Sequence, residues 1–330
     1  MSWVLGVDSG GSGLRFALGS TASDGSAGVT TVATTASTEP MRTGPSGIDA
    51  GQLLDRLLPA VDALLVDADA GPGDLSAVAI GAAGMATLGD GLRAVLPAAL
   101  ERSLGVRRLA LAADAVTAYA GALGQRPGAV VAAGTGMIAL GTDLTRWQRA
   151  DGWGHLLGDC GGGAWIGRAG LEAAMRAYDG RRGGSPALLS RMEAVFGPAP
   201  GLPGLLYPRT DRPAVLASFA PEVARCAAGD PIAESIVSTA ARYIAEAAAA
   251  VCPPSGACEV ALTGGLFGLG DPLLVPLRAE LAGQLPHATT VSAAADPLGG
   301  ALLIAGALAT DALRLPHDAR LLNVLTEQDG

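Results

Sequence analysis

Two glycine-rich turns, each set between short apolar runs, constrain the fold of this chain more than any other feature. The first turn follows the apolar run at 4–7 and reads Asp8-Ser9-Gly10-Gly11-Ser12. The second follows the run at 129–133 and reads Gly134-Thr135-Gly136. Each pattern predicts two strands and a tight turn whose amides and hydroxyls can surround an anion, because glycine carries no Cβ. A single turn of this kind is common in hairpins, but two predict a duplicated phosphate-binding element.

Strand-like runs alternate with long alanine- and leucine-rich helical runs along the 330 residues. This alternation is typical of α/β proteins with a mostly parallel sheet. The order of hairpin, strand and helix recurs after each glycine-rich turn, and the second copy carries a helical insertion at about 165–250. We therefore predict two α/β domains, at 1–115 and 116–330, with a C-terminal helix that can pack back on the first domain. The Gly- and Pro-rich segment 179–212 is expected to be a mobile or variable surface.

The net charge of −9 disfavours nucleic acid as the main partner, because phosphate contacts need a basic face. This net charge does not exclude a nucleotide as a ligand, because backbone amides and a metal ion can hold one. No apolar stretch reaches the length of about 20 residues that a membrane span needs, and no signal peptide is recognisable. We expect a cytoplasmic protein without a membrane partner. Cys252 and Cys258 flank a Pro-Pro-Ser-Gly turn, and a reduced structural pair is favoured there over a metal site or a disulfide.

Two aspartates follow strand-like runs. Asp8 precedes the first glycine-rich turn, where a carboxylate can hold Mg²⁺ or can cap its own turn. Asp114 stands where a strand gives way to an alanine-rich helix, so that an N-cap role and a general-base role both remain open.

The segment 151–167 combines seven glycines with two tryptophans and two aspartates, which suits neither a plain linker nor a plain strand. A rigid loop that presents Trp153 and Asp159 to a polyol explains this composition, and a tight loop that packs Trp165 into the core is the structural alternative. Further along the chain, Gly264 and Gly265 follow a strand-like run. There the backbone can pass close to a flat ligand such as adenine.

These pieces, in this order, resemble the acetate and sugar kinase/Hsc70/actin superfamily, and most closely its branch of N-acetylglucosamine kinases and BadF/BadG/BcrA/BcrD ATPases. The resemblance covers nearly the whole chain and is most specific at Gly152-Trp153-Gly154 with Leu157-Gly158-Asp159 and Trp165-Ile166-Gly167. It implies an α/β fold of two ribonuclease H-like (actin-like ATPase) domains with an ATP cleft between them. The implied activity is ATP-dependent phosphorylation of an amino sugar, with N-acetylglucosamine converted to its 6-phosphate. The alternatives are another hexosamine or N-acetylmuramate kinase, and a non-catalytic member that binds sugar and ATP.

The resemblance also implies roles for individual residues. Asp114 matches the catalytic base, and Asp8 matches the residue that holds Mg²⁺. The ATP-binding set is Ser9, Gly10, Gly11, Ser12, Gly134, Thr135, Gly136, Gly264 and Gly265. The sugar-binding set is Ser46, Thr135, Trp153, Gly154 and Asp159. The implied partners are ATP and an amino sugar, and a homodimer would be in keeping with the family.

Several positions depart from the family pattern. Ser9 and Ser12 replace a glycine and a threonine, and Ser46 stands where an asparagine is common. Cys160 replaces the glutamate that usually follows the loop aspartate. Polar groups of this kind discriminate between sugars, so the departures leave the preferred sugar open. A partner-activating ATPase with a cysteine-held iron–sulfur cluster is disfavoured, since only Cys160 lies mid-chain.

Overall fold

The computed structural model describes residues 2–10, 13–21, 28–37, 43–44, 47–254 and 258–326. The chain divides into two compact units. The first comprises Met1–Pro127, Thr142–Trp147 and Ser292–Gly330, and the second comprises Gly128–Gly141 and Gln148–Val291. The chain therefore leaves the first unit after Pro127 rather than at the predicted residue 115. The reason is that the helix at 114–123 packs against other elements of the first unit.

The secondary structure of the described residues alternates strands with helices, as expected. The strands are β1 (Ser2–Gly10), β2 (Gly13–Thr21), β3 (Val29–Ser37), β4 (Thr43–Gly44), β5 (Gly47–Ile48), β6 (Leu75–Ala82), β7 (Leu109–Ala113), β8 (Gly128–Ala133), β9 (Met137–Thr142), β10 (Trp147–Asp151), β11 (Cys258–Thr263), β12 (Ala288–Ser292) and β13 (Leu322–Leu325). The helices are α1 (Ala50–Asp67), α2 (Met85–Leu88), α3 (Asp90–Leu104), α4 (Asp114–Leu123), α5 (Gly163–Tyr178), α6 (Pro186–Phe196), α7 (Leu202–Leu206), α8 (Arg212–Ala217), α9 (Ala220–Cys226), α10 (Pro231–Val251), α11 (Asp271–Gln284) and α12 (Pro297–Ala309).

The sheet of the first unit has the strand order β13-β7-β6-β1-β2-β3. Strands β1 and β2 form an antiparallel hairpin in which Gly10 lies opposite Gly13, as the first glycine-rich turn predicts. Strands β1, β6 and β7 run parallel, so their carboxyl ends lie at one edge of the sheet. The short strand β13, which the sequence pattern did not predict, pairs antiparallel with β7.

Helix α12 lies close to both strand β1 and helix α4, because glycines remove the side chains at the contacts. A Cβ on Gly6 would come within 2.6 Å of the backbone nitrogen of Leu302. A Cβ on Gly121 would overlap the carbonyl oxygen of Asp296, and one on Gly300 would overlap that of Thr117. Interiors packed this tightly do not accept an added methyl group without a shift of backbone. The C-terminal helix of the chain is thus built into the first unit.

The sheet of the second unit has the order β10-β9-β8-β11-β12, with β11 parallel to β8. Helices α5 to α10 form the insertion, and their apolar residues make one core with this sheet. A Cβ on Gly167 of α5 would overlap the carbonyl oxygen of Leu216, so that α5 and α8 approach through backbone. The segment 179–212, which the sequence predicts to be a mobile or variable surface, contains the helices α6 and α7.

Cys252 and Cys258 form a disulfide that joins the end of α10 to the start of β11. The expectation of a reduced pair is therefore wrong for this structure. The two Cα atoms lie 6.8 Å apart, which is within the range that a disulfide spans. The number of residues between the two cysteines does not determine the distance between them in the folded chain.

None of the described helices is both long enough and apolar enough to span a membrane.

Replacing Gly121 by alanine is expected to lower the free energy of unfolding by about 1–3 kcal/mol, because the new methyl group would force α4 away from α12. Gly91→Ala in α3 is the matched control, since a Cβ there meets nothing within 4 Å. The control should gain about 0.5–1 kcal/mol from better helix propensity. Urea denaturation measures both variants. Equal stability of Gly121→Ala and the wild type would show that the two helices do not approach this closely.

Candidate active site

Asp8 is buried near the end of β1 and is held by Arg15 of the neighbouring strand β2. The Arg15 Nη2 and Nε atoms donate to Asp8 Oδ2 at 2.6 and 3.1 Å. The third nitrogen, Nη1, donates to Asp296 Oδ2 at 2.5 Å. The other oxygen of Asp296 accepts from the Gly299 amide at 2.9 Å and caps the N-terminus of α12. One guanidinium group therefore fixes two carboxylates.

The donor set around Asp8 decides what kind of metal site it can form. Among the described residues, no group of three or more His, Cys, Asp or Glu side chains is placed to hold a metal ion. Mg²⁺ in phosphoryl-transfer sites is commonly bound by one or two carboxylates together with substrate phosphates and water. Asp8 can supply one carboxylate oxygen, while Arg15 already offsets part of its charge. The residues fit a magnesium ion that arrives with a nucleotide, and do not form a preformed cage.

Asp114 is the first residue of α4 and directly follows β7. The N-cap position predicted as one alternative belongs to Ala113. The Asp114 Oδ1 atom accepts from the amide of Ala115 at 2.9 Å, and its charge lies in the first turn, where the helix dipole favours an anion. Because β1, β6 and β7 run parallel, Asp8 and Asp114 lie at the same edge of the sheet. This edge, at the carboxyl ends of parallel strands, is where α/β proteins bind ligands.

The pKa of the Asp114 carboxyl is raised from its ordinary value of 3.8 to about 6. The largest cause is burial by surrounding protein; the Ala115 amide opposes it, and the charge on Asp8 adds to it. Asp114 nevertheless has surface that is exposed to water. A carboxyl group of this kind can exchange a proton near neutral pH and still reach a substrate.

The second glycine-rich turn joins β8 to β9 in the second unit. It is closed by a hydrogen bond from the Gly134 amide to the Gly136 carbonyl at 2.9 Å. The first amides of α5 hold the same turn: Gly163 donates to the Gly134 carbonyl at 2.9 Å, and Ala164 donates to that of Thr135 at 2.8 Å. The Thr135 side chain is exposed. The turn is thus rigid and presents a hydroxyl to solvent.

The loop at 152–162, between β10 and α5, is braced by its own aspartates. Asp151 accepts from the Asp159 amide with one carboxylate oxygen and from the Cys160 amide, at 2.9 Å, with the other. Asp159 Oδ1 accepts in turn from the Gly154 amide at 2.9 Å. Asp151 and Asp159 have φ angles of 60° and 54°, a left-handed conformation that costs a residue with a side chain about 1–2 kcal/mol. The hydrogen bonds hold this strained backbone in place.

Asp159 lies directly against the second turn. A Cβ on Gly136 would overlap the Asp159 carboxylate, so a larger residue there would displace that side chain. Burial raises the pKa of Asp159 above its ordinary value; the Gly154 amide opposes the shift, and the charge on Asp151 adds to it. The structure thus brings the turn and the loop aspartate together, as the sequence-based site requires.

Trp153 is 62% exposed, and its ring lies under the guanidinium group of Arg149, which is 4.1 Å from the ring centroid. The Arg149 Nη2 atom is buried and has no hydrogen-bond partner among the residues that the structure describes. Sequence reasoning did not single out Arg149. A cation four residues before an exposed tryptophan was its only signal, and strand β10 that aligns the two was not predicted.

The remaining predicted site residues divide between the two units. Gly264, with φ of 104°, follows β11, and a Cβ there would overlap the Ala133 carbonyl just before the second turn. The Ser9 hydroxyl is buried and has no hydrogen-bond partner in the described part of the chain. Three of the predicted residues, Gly11, Ser12 and Ser46, lie outside the described residues.

The sequence matches a known protein family over most of its length. The model of the BadF/BadG/BcrA/BcrD ATPase family matches residues 5–305. The N-acetylmuramic acid/N-acetylglucosamine kinase of Clostridium acetobutylicum is 36% identical over 110 residues, which cover 33% of this chain. The chain spans 35% of the length of that relative.

Two solved structures share the architecture. The "Putative N-acetylglucosamine Kinase" of Chromobacterium violaceum is 27% identical, with a TM-score of 0.70 over 92% of this chain and 98% of that chain. A ROK family glucokinase from Streptomyces griseus is 22% identical, with a TM-score of 0.51 over 94% of this chain and 99% of that chain, and shows the fold alone. The predicted fold class is confirmed by these likenesses.

Asp151→Asn is expected to lower the free energy of unfolding by about 1–3 kcal/mol, because the new amide group would face an N–H donor where a carboxylate oxygen accepted one. Asp62→Asn, on the exposed side of α1, is the matched control and should change stability by less than about 0.5 kcal/mol. Urea denaturation followed by tryptophan fluorescence measures both. If the two variants unfold alike, Asp151 does not brace the loop.

Proposed function

The chain belongs to the BadF/BadG/BcrA/BcrD ATPase family, and on that premise we propose that it is an ATP-dependent kinase of an amino sugar. The proposed acceptor is N-acetylglucosamine, and the proposed product is its 6-phosphate. The observation that carries the proposal is Asp114, a solvent-accessible carboxyl with a pKa of about 6 at the carboxyl edge of a parallel sheet. The names of the relatives from C. acetobutylicum and C. violaceum support the choice of sugar.

The proposed chemistry needs one base. The 6-hydroxyl of the sugar gives its proton to the Asp114 carboxylate while the hydroxyl oxygen attacks the γ-phosphorus of ATP. The bond to the bridging oxygen breaks, and ADP leaves. Phosphoryl transfer depends mainly on positioning and on stabilising charge, so a base of moderate strength is sufficient.

The nucleotide is proposed to be bound by backbone and hydroxyl groups. Mg²⁺, when bound with ATP, would neutralise charge on the β- and γ-phosphates, and Asp8 would hold it. The two glycine-rich turns would hold the phosphates, and Gly264 and Gly265 would flank the adenosine. The rigid turn at 134–136 supports this role, because donors that are already in place cost no reorganisation.

The sugar is proposed to bind at the braced loop. The Asp159 carboxylate would accept hydrogen bonds from sugar hydroxyls, and the exposed Trp153 ring would face the sugar ring. Gly154, Thr135 and Ser46 complete the proposed set. The strain at Asp151 and Asp159 supports a binding role, since backbone of this kind persists where function requires it.

Asp114→Asn is expected to lower kcat with N-acetylglucosamine by about 10²–10⁴-fold, because the amide cannot accept the proton. The dissociation constant for ATP should stay within about twofold, since Asp114 is not proposed to touch the nucleotide. Asp271→Asn is the matched control, because Asp271 is likewise the first residue of a helix. Coupled ADP release and calorimetric titration of ATP give the two quantities.

Two results would contradict different parts of the proposal. A near-normal kcat for Asp114→Asn would remove the base assignment and leave the kinase activity standing. A wild-type protein that releases no ADP with N-acetylglucosamine, with other amino sugars or with plain hexoses would refute the kinase itself.

The raised pKa of Asp114 predicts how turnover depends on pH. Only the ionised carboxyl accepts a proton, so kcat should rise with pH and level off above an apparent pKa of about 6.

Folding raises the pKa of Asp114, so ionisation of this carboxyl opposes folding. The stability that the protonated form contributes is therefore lost as the pH rises from 3.8 past about 6. Asp114→Asn should therefore be more stable than the wild type above that range, and unfolding does not explain its lost turnover. A pH-independent kcat between about pH 5 and 8 would contradict the assignment.

A further inference from the structure

A pocket of about 390 Å³ lies in the second unit, lined by α5, α7, α8 and the loop at 152–162. Its walls are mostly apolar and include Leu171, Met175 and Leu206. Its size is that of pockets that take small molecules. None of the roles proposed above uses it.

Two arginines and one glutamate supply the charged side chains in the lining of this pocket. Arg168 and Arg212 both line it, and neither forms an ion pair with an acidic side chain among the described residues. Glu172 also lines it, but its carboxylate is bound by Arg176, with Nη2 at 2.9 Å. Arg168 and Arg212 are both exposed, and because Glu172 is already bound by Arg176 they remain available to a ligand.

We propose that this pocket binds a small carboxylic acid with an apolar body. Arg168 and Arg212 would pair with the carboxylate, because a guanidinium group matches its planar shape with two parallel hydrogen bonds. The apolar body would lie on the leucine and methionine side chains, which offer nothing to the several oxygens of a free inorganic anion. The pocket therefore selects a ligand with both parts.

The pocket adjoins the loop that carries Trp153 and Asp159. His155 and Leu156 of that loop line it, and Leu156 is 83% exposed. Arg168 lies in the second turn of α5, the helix that directly follows this loop. The carboxylate can thus belong to a substituent of the acceptor sugar or to a separate acid. The first source rests on the proposed function, whereas the binding itself does not.

Calorimetric titration tests the pocket without turnover. Three probes are used: hexanoate, N-acetylmuramic acid, which is an amino sugar with a carboxylate-bearing ether, and N-acetylglucosamine, which lacks the carboxylate. They are titrated into the wild type, Arg168→Gln and Arg212→Gln. Arg278→Gln, an exposed position on α11 away from the pocket, is the matched control.

At least one acid is expected to bind the wild type and the control equally, and to bind each of the two pocket variants about tenfold more weakly. If N-acetylmuramic acid shows this loss and hexanoate does not bind, the carboxylate belongs to the sugar. If hexanoate shows it, a separate acid is the ligand. N-acetylglucosamine should bind all four proteins alike.

Three results would overturn the proposal: neither acid binds, both acids bind the pocket variants as tightly as the wild type, or the pocket is filled by a second copy of the chain. The last would appear in analytical ultracentrifugation as a dimer that Leu156→Ser dissociates. ADP release with N-acetylglucosamine, measured in parallel, reports on the kinase separately. If the wild type releases no ADP with N-acetylglucosamine, the proposed function is refuted and the binding result remains valid.

Discussion

The salt-bridge network of Arg15 is the interaction on which the rest of the first unit depends. One guanidinium group binds Asp8 on β1 and Asp296 at the start of α12, and Asp296 in turn caps that helix. Truncating Arg15 would leave the nearly buried carboxylate of Asp8 without its counter-charge, which is far costlier than losing a surface pair. The same network places the negative charge of Asp8 where it contributes to the raised pKa of Asp114. Sheet, capping helix and candidate base are therefore linked by one side chain.

In the second unit the glycine-rich turn and the loop after β10 are held by hydrogen bonds from backbone amides rather than by an ion pair. The first amides of α5 hold the turn at 134–136, and Asp151 holds the loop that begins after it. Gly136 has no side chain, and the Asp159 carboxylate occupies the space that a Cβ would take. A strained loop fixed in this way keeps polar groups in one orientation before any ligand arrives, and such preorganisation makes those groups effective in binding and catalysis.

Much of the architecture could be predicted from local patterns. The β1–β2 hairpin, the helical insertion and the position of Asp114 after a strand follow from periodicity and glycine position, whereas Asp8 lies inside β1 near its end. The resemblance to the family is confirmed by the match over residues 5–305. Long-range contacts were beyond such reasoning. The partners of Arg15 are separated from it by 7 and 281 residues. The disulfide depends on the distance between two Cα atoms, which the sequence separation of the cysteines does not determine. The pocket beside α5 was missed because its lining comes from several helices and a loop whose relative placement only the tertiary structure shows. Arg149 was missed because strand β10, which carries it, was not predicted.

The central claim is that this chain moves a phosphoryl group from ATP to the 6-hydroxyl of an amino sugar. Phosphorus-31 nuclear magnetic resonance of a reaction with N-acetylglucosamine, ATP and Mg²⁺ tests it most directly, because it identifies the product rather than the loss of ATP. The account predicts a phosphomonoester signal coupled to the protons on carbon 6, formed in equal amount with ADP. Inorganic phosphate as the sole product would show an ATPase without sugar transfer and would contradict the account.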